Sequence, residues 1–230
     1  RLPIAEAMRS KGFEVLIAYG EHGKIDKKSL DQRGFRLFHI PMQRGGTNLF
    51  SDLKTLFLIW TLFKSERPNI VHAITIKPYL YGGIISRLTG IPSMVSAVSG
   101  LGTLFIHKDL KSKFLRFLLF PVYRLAFSHP NQTVIFQNQE DANLLSSWGV
   151  LKIDRVRLIR GSGVNLENFT DLEEEDSIPV ICFLARLLVD KGVNEFVLAA
   201  EILKKKGVKA KFYLAGGLDS KNKTGLKTHD

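Results

Sequence analysis

Several features are absent from this sequence, and each absence excludes a class of protein. A single cysteine among 230 residues excludes an internal disulfide and fits a reducing compartment. No apolar run reaches the roughly 18 residues that a spanning helix needs, and the longest candidate, 56–63, is far too short. No signal-peptide pattern is present either. We therefore expect neither a disulfide-stapled secreted domain nor a transmembrane protein.

The residues that are present have the composition of a folded domain. Hydrophobic residues make up 45% of the chain, and glycine and proline, with 19 and 8 residues, occur at ordinary frequency. This composition does not favour disorder. A chain of this length can bury a real core, either as one large domain or as two small ones.

Positive charge is unevenly distributed along the chain. The net charge is +11, but residues 1–160 contain 23 Lys and Arg against 11 Asp and Glu, whereas residues 161–230 contain 10 against 11. The basic excess therefore belongs to the first part alone. Nucleic acid, anionic lipid or a phosphorylated acceptor would each explain it.

One stretch in the last third of the chain carries the clearest local pattern. Val180–Leu184 is a run of apolar or small residues that predicts a buried parallel strand, with Cys182 as a small core residue. Arg186 and Lys191 lie in the loop that follows, and a helical pattern begins at Val193. Ligands of open α/β sheets bind at the carboxyl ends of strands, so two cations beside a helix N-terminus suit a diphosphate. The alternative is a solvated loop in which both basic side chains face water.

Strand and helix patterns alternate along the rest of the chain, which predicts an α/β fold with parallel sheets. The predicted strands are 13–18, 35–40, 70–73, 93–98, 133–137, 156–159, 180–184 and 211–214. The predicted helices are 2–11, 50–64, 78–88, 140–148 and one that starts at 193. The apolar residues of helix 50–64, among them Leu53 and Phe57, are interpreted as core packing.

Several segments resemble retaining glycosyltransferases of the family four type, which have the GT-B fold. The segment FLARLLVDKGVNEFVLAAEILKKKGVKAKFYLAGG (183–217) resembles the start of their C-terminal domain. The segments HAITIKPYLYGG and AVSGLGTLF resemble bacterial members that extend lipid-diphosphate-linked sugars. The resemblance implies two Rossmann-like lobes with parallel sheets, the second lobe truncated. Residues 1–160 would be an acceptor-binding domain without its first strand, 161–178 a hinge and linker, and 179–230 the start of a nucleotide-sugar-binding domain.

The same resemblance implies a donor site. Arg186 and Lys191 match the family's R-x4-K loop, in which the two cations hold the diphosphate of the nucleotide sugar. Gly161, Ser162 and Gly163 resemble the family's hinge. Its glycines let the chain bend between the lobes and let backbone N–H groups approach the sugar nucleotide.

An acceptor side is implied by the resemblance as well. Lys77 and the loop that contains Ser99, Gly100 and Gly102 would face the acceptor's sugar or its diphosphate. Many relatives have a histidine in this second loop, near the sugar that is transferred. This chain has Val98, Ser99 and Gly100 there, so that role is not carried over.

Two further departures from the family pattern concern the hinge and the catalytic carboxylates. The hinge motif usually ends in Asp, where this chain has Asn165. The E-x7-E motif, whose carboxylates contact the donor sugar and ribose, is absent from the sequence, so the catalytic residues are unknown. We therefore expect this stretch of chain to be inactive by itself.

The function implied is transfer of a sugar from a nucleotide sugar, UDP-linked, to a polyprenyl-diphosphate-linked saccharide in cell-surface polysaccharide or glycan synthesis. Anomeric configuration would be retained. No metal or other cofactor is expected, because there is no D-x-D motif to hold a metal. Two alternatives are a sugar-nucleotide epimerase of the same fold and an inactive fragment that only binds.

Residues 107–127 (HKDLKSKFLRFLLFPVYRLAF) combine basic residues with aromatic and leucine residues. Such an amphipathic segment can lie on an anionic membrane surface. A core helix with a solvated basic face explains the pattern equally well. No nucleic-acid-binding motif is recognised. We expect a cytoplasmic protein in peripheral contact with the inner face of the cell membrane.

Overall fold

A computed structural model of the chain describes residues 2–20, 27–42, 48–102, 105, 109–161, 163–171, 173, 177–218 and 225–226. The chain divides into two compact units, Arg1–Val164 and Asn165–Asp230. The boundary between the units falls inside the predicted linker, 161–178. Each unit is described by itself below.

Strands and helices alternate through the first unit, as the sequence patterns predicted. The helices are α1 (Leu2–Ser10), α2 (Lys27–Gln32), α3 (Leu49–Glu66), α4 (Ile76–Thr89), α5 (Leu110–Ala126) and α6 (Gln139–Ser147). The strands are β1 (Leu16–Tyr19), β2 (Arg36–His39), β3 (Ile70–Ile74), β4 (Ser93–Val98), β5 (Gln132–Phe136) and β6 (Val156–Leu158). Where bounds were predicted, they differ from the observed ones by three residues at most, because element ends depend on caps and turns rather than on periodicity. No helix had been predicted with bounds at α2 or α5.

Every strand pair in the first unit is parallel. One sheet has the order β3-β4-β5-β6, and β1 pairs with β2 in a second, two-stranded sheet. Helices α4, α5 and α6 connect successive strands of the larger sheet. The carboxyl ends of parallel strands meet at one edge, so the loops after β3, β4, β5 and β6 lie on the same side of the unit.

Alternate residues of the two central strands form the core of this unit. Met94 and Val98 on β4, and Val134 and Phe136 on β5, are almost completely buried. Helix α4 packs against α3 on one side and against α5 on the other. Gly83 permits the second contact, because a Cβ at this position would lie 2.4 Å from the backbone oxygen of Ala126.

The second unit contains a smaller element of the same kind. Strands β7 (Val180–Leu184) and β8 (Lys211–Ala215) pair in parallel, and helix α7 (Val193–Lys205) connects them. Phe196 of α7 packs between Phe183 and Phe212, with ring centroids 5.4 and 6.0 Å away. Aromatic packing of α7 on one face of the strands therefore forms the core of this unit.

The prediction that β7 is buried was wrong. Leu184 is 84% exposed, most of the strand is exposed with it, and Cys182 is an exposed thiol rather than a core residue. Within the described part of the second unit, α7 covers one face of the two-stranded sheet and no element covers the other. The apolar run predicted the strand correctly, but burial depends on a second layer that a local pattern does not reveal.

Candidate functional site

In the first unit, the loops after β3 and β4 contact each other at the carboxyl edge of the larger sheet. The N–H of Thr75, which follows β3, donates a hydrogen bond to the carbonyl of Ala97 on β4 (3.2 Å). Thr75 has a φ of 76°, a left-handed conformation that non-glycine residues adopt at some cost. A Cβ at Gly102, which also has a positive φ, would lie 3.3 Å from Cδ1 of Ile76. The predicted acceptor loop therefore lies against the start of α4.

Lys77 lies in the first turn of α4, and its ammonium group is paired. Its Nζ donates to Oδ1 of Asp52 on α3 at 2.7 Å, and both side chains are only 20% exposed. A half-buried charge pair of this kind fixes the position of the ammonium group far better than a surface pair does. Asp52 was not predicted from the sequence, because it lies on helix α3, whose pattern was interpreted as core packing alone.

Tyr81 lies one turn after Lys77 and completes a small polar cluster. Burial raises the pKa of the Tyr81 hydroxyl, and the hydrogen bond to Asp52 and the charge of that carboxylate raise it further. The phenol therefore stays protonated and donates to the carboxylate that also accepts from Lys77. Tyr81 was not predicted to belong to this site; its spacing of four residues from Lys77, which puts both on one helix face, is the sequence signal that could have indicated it.

The remaining predicted acceptor residues form the loop after β4. Ser99 and Gly102 are exposed, and Gly100, at a φ of 140°, is half-buried. The positive φ values explain why glycine occupies two of the four loop positions. Lys77, Ser99, Gly100 and Gly102 thus share one edge of the sheet, as predicted. Their binding of an acceptor stays a prediction.

The predicted donor loop of the second unit connects β7 to α7. Arg186 and Lys191 are both exposed, and Lys191 ends a short 3₁₀ turn, Val189–Lys191. Gly192 follows in the left-handed conformation (φ 83°) and begins α7. The free N–H groups of the first helical turn therefore lie directly after Lys191, the arrangement that favours an anion.

Close backbone contact holds this loop against the end of β8. The N–H of Leu187 donates to the carbonyl of Gly217 (3.2 Å), and the N–H of Leu226 donates to the carbonyl of Leu187 (3.2 Å). A Cβ at Gly216 would lie only 1.7 Å from the carbonyl oxygen of Ala185, so no side chain fits there. The backbone on both sides of Arg186 is thus fixed by β8 and by the chain that follows it.

The predicted hinge residues lie at the end of the first unit. Gly161 and Gly163 are exposed and have φ values of 78° and 69°, which glycine adopts without strain. Ser162 lies outside the described residues. The role of the three residues toward a sugar nucleotide stays a prediction.

Within the described ranges, no group of three His, Cys, Asp or Glu side chains is placed to hold a metal ion. This observation does not test whether the reaction needs a metal, so the expectation that no metal is required stays a prediction. The same part of the chain contains no helix that is both long enough and apolar enough to cross a bilayer.

Comparison with curated proteins gives relatives of one kind. The chain is 28% identical, over 95% of its length, to N,N'-diacetylbacillosaminyl-diphospho-undecaprenol alpha-1,3-N-acetylgalactosaminyltransferase of Campylobacter jejuni. It is also 28% identical, over 94% of its length, to a capsular polysaccharide biosynthesis glycosyltransferase of Staphylococcus aureus. The chain spans 60% and 57% of these two proteins.

Comparison with solved structures shows the fold. A glycosyltransferase from Rickettsia africae matches 95% of the chain with a TM-score of 0.56 at 15% identity, and the chain covers 64% of that structure. A UDP-GlcNAc 2-epimerase from Methanocaldococcus jannaschii matches 93% of the chain with a TM-score of 0.51 at 14% identity, and 60% of that structure is covered. The predicted GT-B fold with parallel sheets is therefore confirmed, while the fold alone does not separate transferase from epimerase.

The family assignment rests on the first unit. The family described as "Glycosyl transferase 4-like" matches residues 1–138, which include α4 with Lys77 and the Ser99–Gly102 loop. These residues make up more than half of the chain. The chain belongs to the Glycosyl transferase 4-like family.

Proposed function

We propose that this protein transfers a sugar from a UDP-linked donor to a saccharide carried on a polyprenyl diphosphate, in cell-surface polysaccharide or glycan synthesis. The observation that carries this proposal is the match along nearly the whole chain to an enzyme named for transfer to a diphospho-undecaprenol-linked sugar. In the reaction, the acceptor hydroxyl oxygen forms a bond to the anomeric carbon of the donor sugar. The bond from that carbon to the diphosphate breaks, the hydroxyl proton is released, and UDP departs.

The second unit supplies the cations that this leaving group requires. Arg186 and Lys191 lie in the loop that precedes the N-terminus of α7, where exposed side chains and free N–H groups can neutralise a diphosphate. Charge builds on the diphosphate as the sugar departs, so these groups stabilise the transition state more than the bound donor. The loop therefore acts without a metal or other cofactor in this proposal.

The first unit supplies the acceptor side. Lys77, held by Asp52, lies in the first turn of α4, and the Ser99–Gly102 loop lies against the start of the same helix at the carboxyl edge of the sheet. A fixed ammonium group suits the diphosphate of the acceptor. The excess of basic residues in 1–160 would attract this anionic substrate.

Helix α5 supports peripheral contact of the first unit with an anionic membrane. Its inner side is buried through Tyr123 and Ala126, whereas Phe114 and Phe117 are exposed, Phe117 by 75%. A core helix with a solvated basic face does not account for exposed phenylalanines. The helix contains four basic residues and no acidic one, which suits the inner face of the cell membrane.

A transfer assay tests the proposal. Because the chain spans about 60% of the relatives it matches, the assay uses a full-length protein that contains it. This protein is incubated with radiolabelled UDP-sugars and a short-chain polyprenyl-diphosphate-linked N-acetylhexosamine, and labelled lipid-linked product and released UDP are both measured. Equal amounts of labelled product and UDP, with no UDP release when acceptor is omitted, is the expected result.

Other outcomes of this assay identify the alternatives. Conversion of the sugar nucleotide to its epimer without acceptor would replace the transferase with an epimerase. Binding of UDP, measured by calorimetry, without turnover of any UDP-sugar would reduce the chain to a fragment that only binds.

A further inference from the structure

The ion pair between Asp52 and Lys77 joins the first turns of two helices. Asp52 lies in the first turn of α3, and Lys77 lies in the first turn of α4, which contains no acidic residue. The partial positive charge of a helix N-terminus favours an anion and disfavours a cation. Asp52 is therefore well placed for its own helix, whereas Lys77 is placed against the dipole of α4. Helix stability gives no reason for a lysine at this position.

Burial adds a second cost to this ion pair. Each of the two side chains is 20% exposed, and Nζ of Lys77 lies 2.7 Å from Oδ1 of Asp52. Attraction between two charges that leave water repays their desolvation only in part, so apolar side chains often stabilise a fold equally well. Helices α3 and α4 already share an apolar cluster further along, which contains Ile59 and Ile85. What the pair does provide is a fixed position for the ammonium group.

The start of α3, which carries Asp52, is itself held in place. The side chain of Asn48 caps the helix. The hydroxyl of Thr55, a buried residue, donates a hydrogen bond to the carbonyl of Pro41, which follows β2 (2.8 Å). Tyr81 donates to the Asp52 carboxylate from α4. The carboxylate that positions Lys77 is therefore fixed from both helices.

We propose that Asp52 is a positioning residue for sugar transfer, which holds the ammonium group of Lys77 where the diphosphate of the acceptor binds. The inference rests on the proposed function and adds to it a role for α3. A lysine side chain that is already held loses less rotamer freedom when a ligand binds, so the acceptor would bind more tightly. Asp52 thus acts on the acceptor through Lys77.

Steady-state kinetics of the full-length protein that contains this chain tests the role of Asp52. Asp52→Asn keeps the size of the side chain and removes its charge. We expect the KM for a short-chain polyprenyl-diphosphate-linked N-acetylhexosamine to rise by about tenfold, with the KM for the UDP-sugar unchanged, because a charge-assisted bond that holds Lys77 is lost. Asp52→Glu, which retains a carboxylate, should recover part of this loss. Tyr81→Phe should raise the same KM by about two- to threefold, since a neutral donor to Asp52 is removed.

Two further measurements separate positioning from a structural role. With the same saccharide on an uncharged carrier, Asp52→Asn should leave the KM for the acceptor unaltered, because no diphosphate meets Lys77. In a Lys77→Ala background, Asp52→Asn should leave the KM for the diphosphate-linked acceptor unchanged or lower it, since the carboxylate left without Lys77 repels the diphosphate.

Glu66→Gln is the matched control. Glu66 lies at the far end of α3, its side chain is 19% exposed, and it is paired with Arg36 at 2.9 Å. The variant thus removes an equally buried, paired carboxylate from the same helix. Its thermal stability should fall about as much as that of Asp52→Asn, whereas its KM for the acceptor should match that of the unaltered protein.

Three results would overturn the inference. An unchanged KM for the acceptor in both Asp52→Asn and Tyr81→Phe would leave the ion pair as a structural contact. An equal rise for the charged and the uncharged acceptor would show that Asp52 does not act on the diphosphate. The same rise in the Lys77→Ala background would show that Asp52 does not act through Lys77.

Calorimetry of acceptor binding without donor separates this inference from the proposed function. Weaker binding of the diphosphate-linked acceptor by Asp52→Asn and Lys77→Ala, in a protein that turns over no UDP-sugar, would support the role of Asp52 while the transferase proposal falls. Transfer with the same acceptor affinity in all variants would support the transferase proposal and overturn the role of Asp52.

Discussion

The sheets of the two units differ in burial although similar sequences form them. In β4 and β5, every second residue is buried between the sheet and its helices. In β7, a run that is at least as apolar leaves four of its five residues exposed, namely Val180, Ile181, Cys182 and Leu184. The strands are parallel in both cases and each pair is joined by a helix. Pairing is thus achieved by the βαβ unit itself, whereas burial requires further layers around it.

The difference extends to the candidate sites. The first unit holds its lysine by a half-buried partner on a neighbouring helix, whereas the second unit fixes the backbone around its exposed cations. We therefore expect different substitutions to impair the candidate site of the first unit and that of the second. Substitutions and changes of pH can test this contrast between the two units.

Removal of Arg186 or Lys191, the two cations of the donor loop, should impair sugar transfer through the second unit and leave the first unit unchanged. Arg186→Ala or Lys191→Ala should lower transfer by about 10²–10³-fold, since a group that stabilises developing charge is lost. Steady-state kinetics with a UDP-sugar measures this effect. Thermal stability should change by less than about 0.5 kcal/mol in free energy of unfolding, because both side chains are exposed.

Lys205→Ala, at the far end of α7, is the control for charge in the second unit. It should leave transfer unaltered. Normal turnover by Arg186→Ala would remove this residue from the donor site and would weaken the contrast between the two units.

Adjacent glycines in α4 test how tightly the first unit is packed. Gly83→Ala should lower the free energy of unfolding by about 1–3 kcal/mol, because its Cβ would meet the backbone of Ala126. Gly82→Ala is the matched control, since its Cβ would lie 3.5 Å from Cβ of Ala73, an ordinary contact. Helix propensity should make that variant neutral, or more stable by up to about 1 kcal/mol.

Urea denaturation followed by circular dichroism measures both glycine variants. Equal stabilities of Gly82→Ala and Gly83→Ala would show that α4 and α5 can separate at little cost. The first unit would then be no more tightly packed than the second.

Alkaline pH should destabilise the first unit through its buried tyrosines. Burial raises the pKa of Tyr79 and of Tyr123, and it raises that of Tyr81 together with the charge of Asp52. The unfolded chain loses these protons near pH 10, before the folded chain does. The contribution of Tyr79 is therefore complete below about pH 10 and falls by up to about 1.4 kcal/mol for each pH unit above it.

Denaturation midpoints at several pH values, with phenolate absorbance at 295 nm, measure this loss of stability. Tyr79→Phe should reduce the slope of stability against pH, and comparison with this variant removes the contribution of lysine titration. An identical slope in the variant would contradict a buried, protonated Tyr79.

The reactivity of the Cys182 thiol tests whether the face of the second unit's sheet opposite α7 is open to solvent. The thiol is exposed on β7, so it should react with a thiol reagent in the native protein at a rate close to that after unfolding. Cys182→Ser should change the free energy of unfolding by less than about 0.5 kcal/mol. Absorbance of the released chromophore measures the reaction, and strong protection in the folded state would show that this face is covered.

Local patterns in the sequence were sufficient to locate most elements. The bounds of β4 and of β7 were predicted without error, and so was the first residue of α7. These elements depend on short-range spacing of apolar residues and on flanking glycines or prolines, which a linear sequence displays directly. The loop with Arg186 and Lys191 could be located for the same reason, since it lies between a predicted strand and a predicted helix.

Local sequence patterns predicted the order and type of most elements, the parallel pairing that their alternation implies, and the loop that carries Arg186 and Lys191. They placed Lys77 just before a helix, whereas it lies in the first turn of α4. Which apolar residues are covered depends on packing between distant elements, as the exposed strand β7 and the exposed Phe50 and Phe57 of α3 show. The tertiary structure also decided the pairing of Lys77 with Asp52, 25 residues away. The physical reason is that periodicity is a property of neighbouring residues, whereas burial and ion pairing depend on elements that meet in space only after the chain has folded.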